Sequence, residues 1–338
     1  MKILLISPTQ SGIGGIAQHV QGLTKFLQNE GHQVEIMSSE NTFTIPIKGL
    51  RNPSFMISSY IKSKFKKDFD IIHAHNIPAA LAMKNSSGKK ILTIHGIFSK
   101  QIGQIHNKSA ENISGKYEIN ALSWADAIST ISKDSFEYYS NLSNNVSQIS
   151  NGINLSDFNQ ESDRRFDKQI IFAGRLSKEK GIETLLQICN NLDDNLDLLI
   201  IGTGPEQEKF TSVNLKKKNI HYLGFQNHKK TISLIKGSDI LIQPSLSEGI
   251  STTLLEAMAC KTCIITSNVG GNLELIKNQE NGILIDPTDD ELFIKTIHKL
   301  FKDELLRKKF SETAFDRVKE YDWKNIGKKY LDLYESLL

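Results

Sequence analysis

The sequence predicts an α/β protein with two doubly wound, Rossmann-like domains that face each other across a cleft. The chain has 338 residues, about twice the length of a typical domain. Short apolar runs alternate with amphipathic stretches, which is the βαβ pattern of a parallel sheet covered on both faces. The polar stretch 159–168 breaks this alternation and is the predicted linker between the domains, and a second series begins after it.

The first series belongs to a predicted N-terminal domain that spans residues 1–160. Strands are predicted at 2–6, 33–37, 70–75, 90–95 and 127–129. Helices are predicted at 16–29 and 135–139.

The second series belongs to a predicted C-terminal domain at 168–320. Strands are predicted at 169–173, 197–201, 220–223, 240–243 and 263–267, with helices at 181–191, 206–217, 232–236 and 252–259. The chain is predicted helical after Glu291, and its last helix, at 321–338, is assigned to the N-terminal domain. Ligands in such sheets bind beyond the carboxyl ends of the strands.

Composition excludes several classes of protein. A net charge of only +3 argues against a dedicated nucleic-acid binder, and three cysteines form no disulfide framework. The first residues are too short an apolar run for a signal peptide, and no run is long enough to cross a bilayer. We expect a cytoplasmic protein, with peripheral contact to the inner face of the cell membrane as an option.

A glycine-rich turn, Gly12-Ile-Gly14-Gly15, follows the first predicted strand. It favours either close approach to a phosphate at a helix N-terminus or a tight turn that needs positive φ. Counted from Gly12, the third glycine position of the dinucleotide fingerprint is occupied by Ala17, so Gly-x-Gly-x-x-Gly is not matched in full.

Two cations follow the first strand of the second series, in Gly174-Arg175-Leu-Ser-Lys-Glu-Lys180-Gly181. Guanidinium and ammonium groups at this position either bind a diphosphate or form a solvated basic loop. The next turn, Gly202-Thr-Gly204-Pro205, is predicted to bring its backbone near a nucleotide base or phosphate.

Two carboxylates lie around the predicted helix 252–259. Glu248 precedes this helix, and Glu256 falls inside it among apolar neighbours, where a carboxylate needs a bonding partner such as sugar or ribose hydroxyls. The N–H groups of Ile250, Ser251 and Thr252 are predicted to receive a phosphate.

These motifs together resemble the retaining glycosyltransferases of family 4, which have the GT-B fold. The resemblance rests on Glu-x7-Glu, Gly-Arg-x4-Lys-Gly, Gly-Thr-Gly-Pro, Asn151-Gly-Ile-Asn154 and Val269-Gly-Gly-Asn, and it covers nearly the whole chain. It implies transfer of a hexose or hexosamine from a UDP- or GDP-linked donor to a glycan or lipid-linked acceptor, in cell-envelope polysaccharide biosynthesis. It also implies retention of the anomeric configuration, with no metal and no cofactor beside the donor.

The resemblance also implies that the domain at 1–160 binds the acceptor and that the domain at 168–320 binds the nucleotide sugar. It implies roles for single residues as well. Arg175 and Lys180 would bind the diphosphate, Glu248 the transferred sugar and Glu256 the ribose. Gly15 would let its loop close on the phosphates, and His95 matches the active-site histidine of the family. The chain departs from the family at Ser251, at 261–263 and at Leu273, which puts donor choice in doubt. A nucleotide-sugar epimerase and a non-catalytic nucleotide-sugar-binding protein remain as alternatives.

Three further patterns lie outside these family motifs. His73 and His75 lie on one predicted strand, and we expect one ring in the core and the other at the rim of the cleft. Asp68-Phe-Asp70 has the spacing of metal-dependent transferases but is interpreted as the polar start of a strand. Lysines surround the helical face of Ile57, Ile61 and Phe65, which fits either an anionic membrane or a solvated surface helix. These lysines are Lys62, Lys64, Lys66 and Lys67.

Overall fold

The computed structural model describes residues 1–10, 14–47, 49–99, 108–214 and 216–338, and within these it divides the chain into two compact units. The N-terminal unit comprises Met1–Gly152 and Trp323–Leu338, and the C-terminal unit comprises Ile153–Asp322. The chain therefore passes between units just after Gly152, before the polar stretch 159–168 in which the sequence analysis placed the linker. Among the helices of the described ranges, none is long and apolar enough to cross a membrane.

The N-terminal unit contains a six-stranded parallel sheet in the order β2-β1-β3-β4-β5-β6. Its strands are β1 (Lys2–Ser7), β2 (Gln33–Ser38), β3 (Ile71–His75), β4 (Lys89–Ile94), β5 (Ala127–Thr130) and β6 (Val146–Gln148). The helices described are α1 (Gly15–Asn29), α2 (Arg51–Ser63), α3 (Ile77–Met83), α4 (Lys108–Leu122) and α5 (Lys133–Ser140).

The C-terminal unit contains a second six-stranded parallel sheet, in the order β12-β11-β10-β7-β8-β9. Its strands are β7 (Gln169–Ala173), β8 (Asp197–Ile201), β9 (Ile220–Gly224), β10 (Ile240–Gln243), β11 (Cys263–Ser267) and β12 (Ile283–Ile285). Its helices are α6 (Ile182–Asn191), α7 (Gln207–Asn214), α8 (His228–Lys236), α9 (Thr252–Ala259), α10 (Asn272–Leu275), α11 (Asp290–Lys302) and α12 (Glu304–Val318).

Strand alternation distributes the apolar side chains of the N-terminal sheet to both of its faces. Along β1, Leu4 and Ile6 belong to one buried cluster, whereas Ile3 and Leu5 belong to another. Successive side chains on a strand point to opposite faces, so this strand is covered by helices on both sides. In the C-terminal unit, the buried cysteines pack as small apolar residues. Burial raises the pKa of the Cys260 and Cys263 thiols to about 12.

The last helix, α13 (Trp323–Glu335), packs on α1 and belongs to the N-terminal unit. A Cβ at Gly22 would lie 1.9 Å from Trp323 Nε1, and one at Gly327 would lie 2.3 Å from the Phe26 ring. The missing side chains at these two positions let the helices approach closely enough to bury Trp323 and Tyr330.

Four histidines form a buried cluster beside this helix, at the carboxyl ends of β3 and β4. They are His19, His73, His75 and His95. The rings of His73 and His75 are 4.3 Å apart, and those of His19 and His95 are 4.9 Å apart. The expectation that one of His73 and His75 points to the rim is wrong, because residues i and i+2 of a strand share a face.

Hydrogen bonds hold part of this histidine cluster in place. His73 bonds Tyr334 Oη at 2.7 Å and Thr93 Oγ1 at 2.6 Å, and His19 Nδ1 bonds Asn151 Oδ1 at 2.9 Å. Burial lowers the pKa of His19 to about 4, despite the opposing effect of the Asn151 bond. Burial and the neighbouring rings also lower the pKa values of the other three histidines well below 6.5. All four rings are therefore neutral at pH 7.

This neutrality predicts that acid destabilises the N-terminal unit. The unfolded chain binds protons at these histidines below pH 6.5 while the folded unit does not, so the free energy of unfolding falls as pH falls. His19 alone contributes a loss of about 1.5 kcal/mol between pH 6.5 and 5. Denaturant titrations followed by tryptophan fluorescence measure this loss. Both tryptophans, Trp124 and Trp323, lie in the N-terminal unit.

The matched variant is His19→Gln, which removes one of the titrating rings. Its unfolding free energy should depend less steeply on pH between 6.5 and 5, whatever its stability at pH 7.5. A wild-type stability that stays level or rises on acidification in this range contradicts the neutral state of the cluster.

Candidate functional site

The predicted donor-binding residues of the C-terminal unit lie on loops that follow adjacent parallel strands. Arg175 follows β7, Gly204 follows β8, and Glu248 follows β10. Strands β10, β7 and β8 are neighbours in the sheet, so these loops emerge along the same carboxyl edge.

The loops after β7 and β8 are bonded to one another through their backbones. Leu176 N–H donates to Thr203 O at 3.0 Å, and Glu206 N–H donates to Leu176 O at 3.0 Å. A Cβ at Gly204 would lie 2.2 Å from Leu176 O. The contact between the loops therefore requires glycine at 204, and the predicted donor contact of this residue stays a prediction.

Lys180 ends a short 3₁₀ turn, Lys178–Lys180, that lies on the loop after β10. Gly181 follows with φ of 67°, and a Cβ there would lie 1.8 Å from Pro244 O. Glu179 O also accepts a hydrogen bond from Leu246 N–H at 2.9 Å. These contacts fix the turn on the β10 loop and place the Lys180 side chain beside Glu248.

One oxygen of Glu248 is the centre of a polar network. Its Oε1 accepts hydrogen bonds from Lys180 Nζ at 2.5 Å, Gln243 Nε2 at 2.5 Å and Ser245 Oγ at 2.7 Å. The side chain of Glu248 is only 9% exposed, while that of Lys180 is 23% exposed. Within the described ranges no donor is recorded for Glu248 Oε2, which leaves this oxygen as an acceptor for a ligand.

The sequence predicts Lys180 and Glu248 at the same site but does not predict Gln243 and Ser245 there. Both follow the apolar run of β10 directly, in Gln243-Pro-Ser245, and polar residues at a strand's carboxyl end were the available signal. Arg175 differs from Lys180, since it is exposed and its guanidinium has no hydrogen-bond or ion-pair partner among the residues that the structure describes.

The loop after β11 supports Glu248 from another direction. Gly271 N–H donates to Glu248 O at 3.2 Å, and Gly270 has φ of 46°. A Cβ at Gly270 would lie 2.1 Å from Glu248 O. The loop after β11 therefore packs directly on the backbone of Glu248. This close contact explains why glycines occupy positions 270 and 271.

Helix α9 begins beside this network. Ser251 is its N-cap, because its Oγ accepts from Leu254 N–H, and the same hydroxyl donates to Gln243 Oε1 at 3.1 Å. Ile250 and Ser251 are buried, whereas Thr252 is half-buried. Thr252 and Thr253 are the first residues of the helix, where N–H groups lack intrahelical partners.

Glu256 is buried within α9 and paired with a histidine. Its Oε1 lies 2.8 Å from His228 Nε2, at the start of α8, and this bond raises the pKa of His228 above 6.5. The sequence analysis assigned Glu256 to a ribose and missed His228, whose position at a helix start after β9 carries little signal. Partial exposure of the His228 ring lets this pair meet a ligand.

In the N-terminal unit, Gly12 lies outside the described residues, and Gly14 and Gly15 begin α1. Gly14 is the N-cap with φ of −75°, and a Cβ there would meet no atom within 4 Å. The expected alternative of a turn with positive φ therefore does not hold at Gly14. Its backbone conformation and surroundings give no steric reason for glycine.

His95 follows β4, and its ring lies in the buried histidine cluster. Its backbone N–H donates to Asn76 Oδ1 at 2.9 Å, and its Nε2 lies 3.4 Å from His75 Nδ1. Its Nδ1 has no hydrogen-bond partner among the described residues. A neutral imidazole with one unsatisfied nitrogen can accept a proton or donate a hydrogen bond to a substrate, depending on its tautomer.

In the Asp68-Phe-Asp70 pattern, the Asp70 side chain bonds the backbone at the start of a strand. Asp70 Oδ2 accepts from Lys2 N–H at 2.7 Å, at the beginning of β1. In the part of the chain that the structure describes, no group of three or more His, Cys, Asp or Glu side chains is arranged to hold a metal ion.

Comparisons with known families agree with the fold and with these motifs. The family described as glycosyl transferases group 1 matches residues 156–317, and glycosyltransferase family 4 matches residues 13–157. Together the two matches account for most of both units.

Three individual proteins are similar over nearly their whole length. A glycosyltransferase of Methanocaldococcus jannaschii is 28% identical, covering 100% of this chain and 99% of its own. The phosphatidyl-myo-inositol mannosyltransferase of Mycobacterium leprae is 22% identical, covering 100% and 97%. The crystal structure of Anabaena HepE with UDP and glucose superposes with a TM-score of 0.77 at 16% identity, covering 99% and 100%.

The solved structure shares the architecture of two Rossmann-like domains found here, each with a parallel sheet. The family matches, the full-length relatives and this shared architecture agree with the motifs that converge on Glu248. The chain belongs to the group 1 glycosyltransferases, the family 4 enzymes with the GT-B fold.

Proposed function

We propose that this glycosyltransferase moves a hexose or hexosamine from a UDP- or GDP-linked donor to a glycan or lipid-linked acceptor, with retention of configuration and without a metal ion. The observation that carries the proposal is the Lys180–Glu248 pair, with Arg175 on the same loop, at the carboxyl edge of the C-terminal sheet. This places two cations and one unsatisfied carboxylate oxygen where Rossmann-like sheets bind ligands.

Lys180 and Arg175 are proposed to bind the donor diphosphate. The ammonium group of Lys180 has three N–H donors, and one of them is used by Glu248. The remaining donors can reach a phosphate oxygen while Glu248 keeps the side chain in place. Arg175 adds a forked guanidinium, which suits phosphate geometry.

Helix α9 is proposed to add backbone donors to the same diphosphate. The N–H groups of its first turn carry the positive end of the helix dipole, and Thr252 and Thr253 lie there. Because Ser251 uses its hydroxyl as the cap, its contribution to donor binding is to hold this turn and Gln243 in position.

The two carboxylates are proposed to bind the two sugars of the donor. Glu248 Oε2 would accept hydrogen bonds from hydroxyls of the transferred sugar, since Oε1 is already occupied by three donors. For the ribose we propose the Glu256–His228 pair rather than the carboxylate alone, because His228 is the more exposed partner.

Retention is proposed to proceed by substitution on one face of the sugar. The bond between the anomeric carbon and the diphosphate oxygen breaks, the acceptor oxygen attacks from the same side, and its proton passes to the departing phosphate oxygen. The charge that develops on the diphosphate is offset by Lys180 and Arg175, which is the role that a metal ion serves in other transferases.

Residues of the N-terminal unit are proposed to complete the reaction. From the family resemblance, His95 would lie near the transferred sugar, and Gly14 and Gly15 would allow a phosphate to approach the start of α1. The acceptor is assigned to this unit from the family resemblance. The names of the relatives support a UDP-linked donor and a lipid-linked acceptor. We propose a cytoplasmic location for the reaction.

A donor and acceptor screen tests this function. Nucleotide sugars that raise the melting temperature would be incubated with lipid-linked acceptors, with and without EDTA, and the product's anomeric configuration read by NMR. We expect transfer with retention and equal rates in both conditions. A new sugar isomer without acceptor would indicate an epimerase, and an inverted product or loss of activity in EDTA would contradict the mechanism.

The diphosphate assignment predicts the effect of removing each cation. Arg175→Ala and Lys180→Ala should each lower turnover by about 10²–10³-fold, because a preorganised charge partner of the leaving group is lost. Steady-state kinetics with saturating donor measure this loss. Lys178→Ala, an exposed lysine of the same turn, is the matched control and should retain activity. Near-wild-type turnover in Lys180→Ala would rule out its role.

A further inference from the structure

A cluster of large apolar side chains is exposed on the N-terminal unit, on α2 and the segment before it. Phe65 is 81% exposed, Phe43 75% and Ile57 62%. We call this cluster the α2 face; its members are Phe43, Ile47, Leu50, Ile57, Ile61 and Phe65. Exposed apolar side chains that share one helix face and the neighbouring segments are typical of an interaction site.

Helix geometry sets the α2 face apart from the core. Phe55, Ser59 and Ser63 are buried and share one side of α2. At 100° per residue, Ile57 and Ile61 lie on the opposite side, and Phe65 follows one turn later. These side chains therefore point away from the unit that the helix packs against.

The segment before α2 continues this face. Ser58 Oγ donates to Phe43 O at 2.6 Å, and Ile45 N–H donates to Ser54 Oγ at 2.9 Å. The backbone at 43–45 is thereby held alongside α2, next to the side that carries Ile57 and Ile61. The sequence analysis identified the helical part of the face but not Phe43, Ile47 and Leu50.

The chain segment that carries the α2 face is basic. Residues 41–67 include no Asp or Glu, and their basic residues are Lys48, Arg51, Lys62, Lys64, Lys66 and Lys67. Two of the four lysines predicted to face a membrane are engaged within the unit. Lys66 pairs with Glu35, and Lys62 donates to Asn41 O. Lys64 and Lys67 are exposed and keep their charge without an ion-pair partner in the described residues.

We propose that the α2 face binds the surface of a bilayer that contains anionic phospholipid. Its apolar side chains would enter the boundary between headgroups and acyl chains, while Lys64, Lys67 and Arg51 contact phosphate groups. A second copy of the chain fits less well, since a two-fold interface would bring two basic surfaces together. The proposal does not depend on the transfer reaction.

Vesicle flotation of the full-length protein tests this proposal without donor or acceptor. Phosphatidylcholine vesicles would be compared with vesicles that also contain phosphatidylglycerol, at low and high salt. We expect retention on the anionic vesicles at low salt and weaker retention as salt rises. The variant Lys64→Gln/Lys67→Gln should lower the partition coefficient by roughly 25-fold, about fivefold for each lysine.

The apolar part of the face is tested separately. Ile57→Ser/Ile61→Ser/Phe65→Ser should reduce binding by at least about tenfold while the melting temperature stays within a few degrees, because these side chains are exposed. Matched controls in the C-terminal unit are Leu292→Ser/Leu305→Ser and Lys308→Gln/Lys309→Gln, all at exposed positions. These controls should bind as wild type does.

Three outcomes overturn the proposal. The first is no retention on anionic vesicles at low salt, and the second is an equal loss of binding in the α2-face variants and the controls. The third is light scattering that shows a dimer abolished by the apolar triple variant, with no vesicle binding by the wild type. Each is independent of enzymatic activity, so failure here leaves the proposed transfer reaction untouched.

Discussion

A single carboxylate oxygen organises the site of the C-terminal unit. Oε1 of Glu248 accepts from Lys180 and Ser245, on the loops after β7 and β10, and from Gln243, the last residue of β10. A largely buried carboxylate is costly unless its hydrogen bonds are made, and three donors on one oxygen meet this requirement. Oε2 of Glu248 and the ammonium group of Lys180 remain available to bind a ligand.

Glycines bring the loops close enough for this network to form. Gly181 approaches Pro244 O, Gly202 approaches Gly174 O, and Gly270 approaches Glu248 O at distances that no Cβ tolerates. The positive φ values at these three positions also favour glycine. The glycines of the family motifs therefore serve loop-to-loop packing here, and it is this packing that positions the charged side chains.

The N-terminal unit is organised by a different constraint. Its polar cluster is made of neutral rings, packed between β3, α1 and the returning helix α13, and Tyr334 and Thr93 satisfy His73. Burying a neutral imidazole costs less free energy than burying an ion. Histidines can therefore occupy this interior without the cation that a buried carboxylate would need. One unit thus presents charge at its functional edge, and the other buries uncharged polar groups.

The sequence by itself determined the two parallel sheets and most of their strands, since apolar periodicity is a local property. It also placed Lys180 and Glu248 in one predicted site, but their ion pair is a contact that only the tertiary structure shows. It did not reveal the short edge strands β6 and β12, whose three residues leave little periodic signal. Only the tertiary structure decided that His228 pairs with Glu256, that His19 joins the histidines of β3, and that Phe43 lies along α2. Each of these contacts joins residues distant in sequence, and packing rather than local pattern selects such partners.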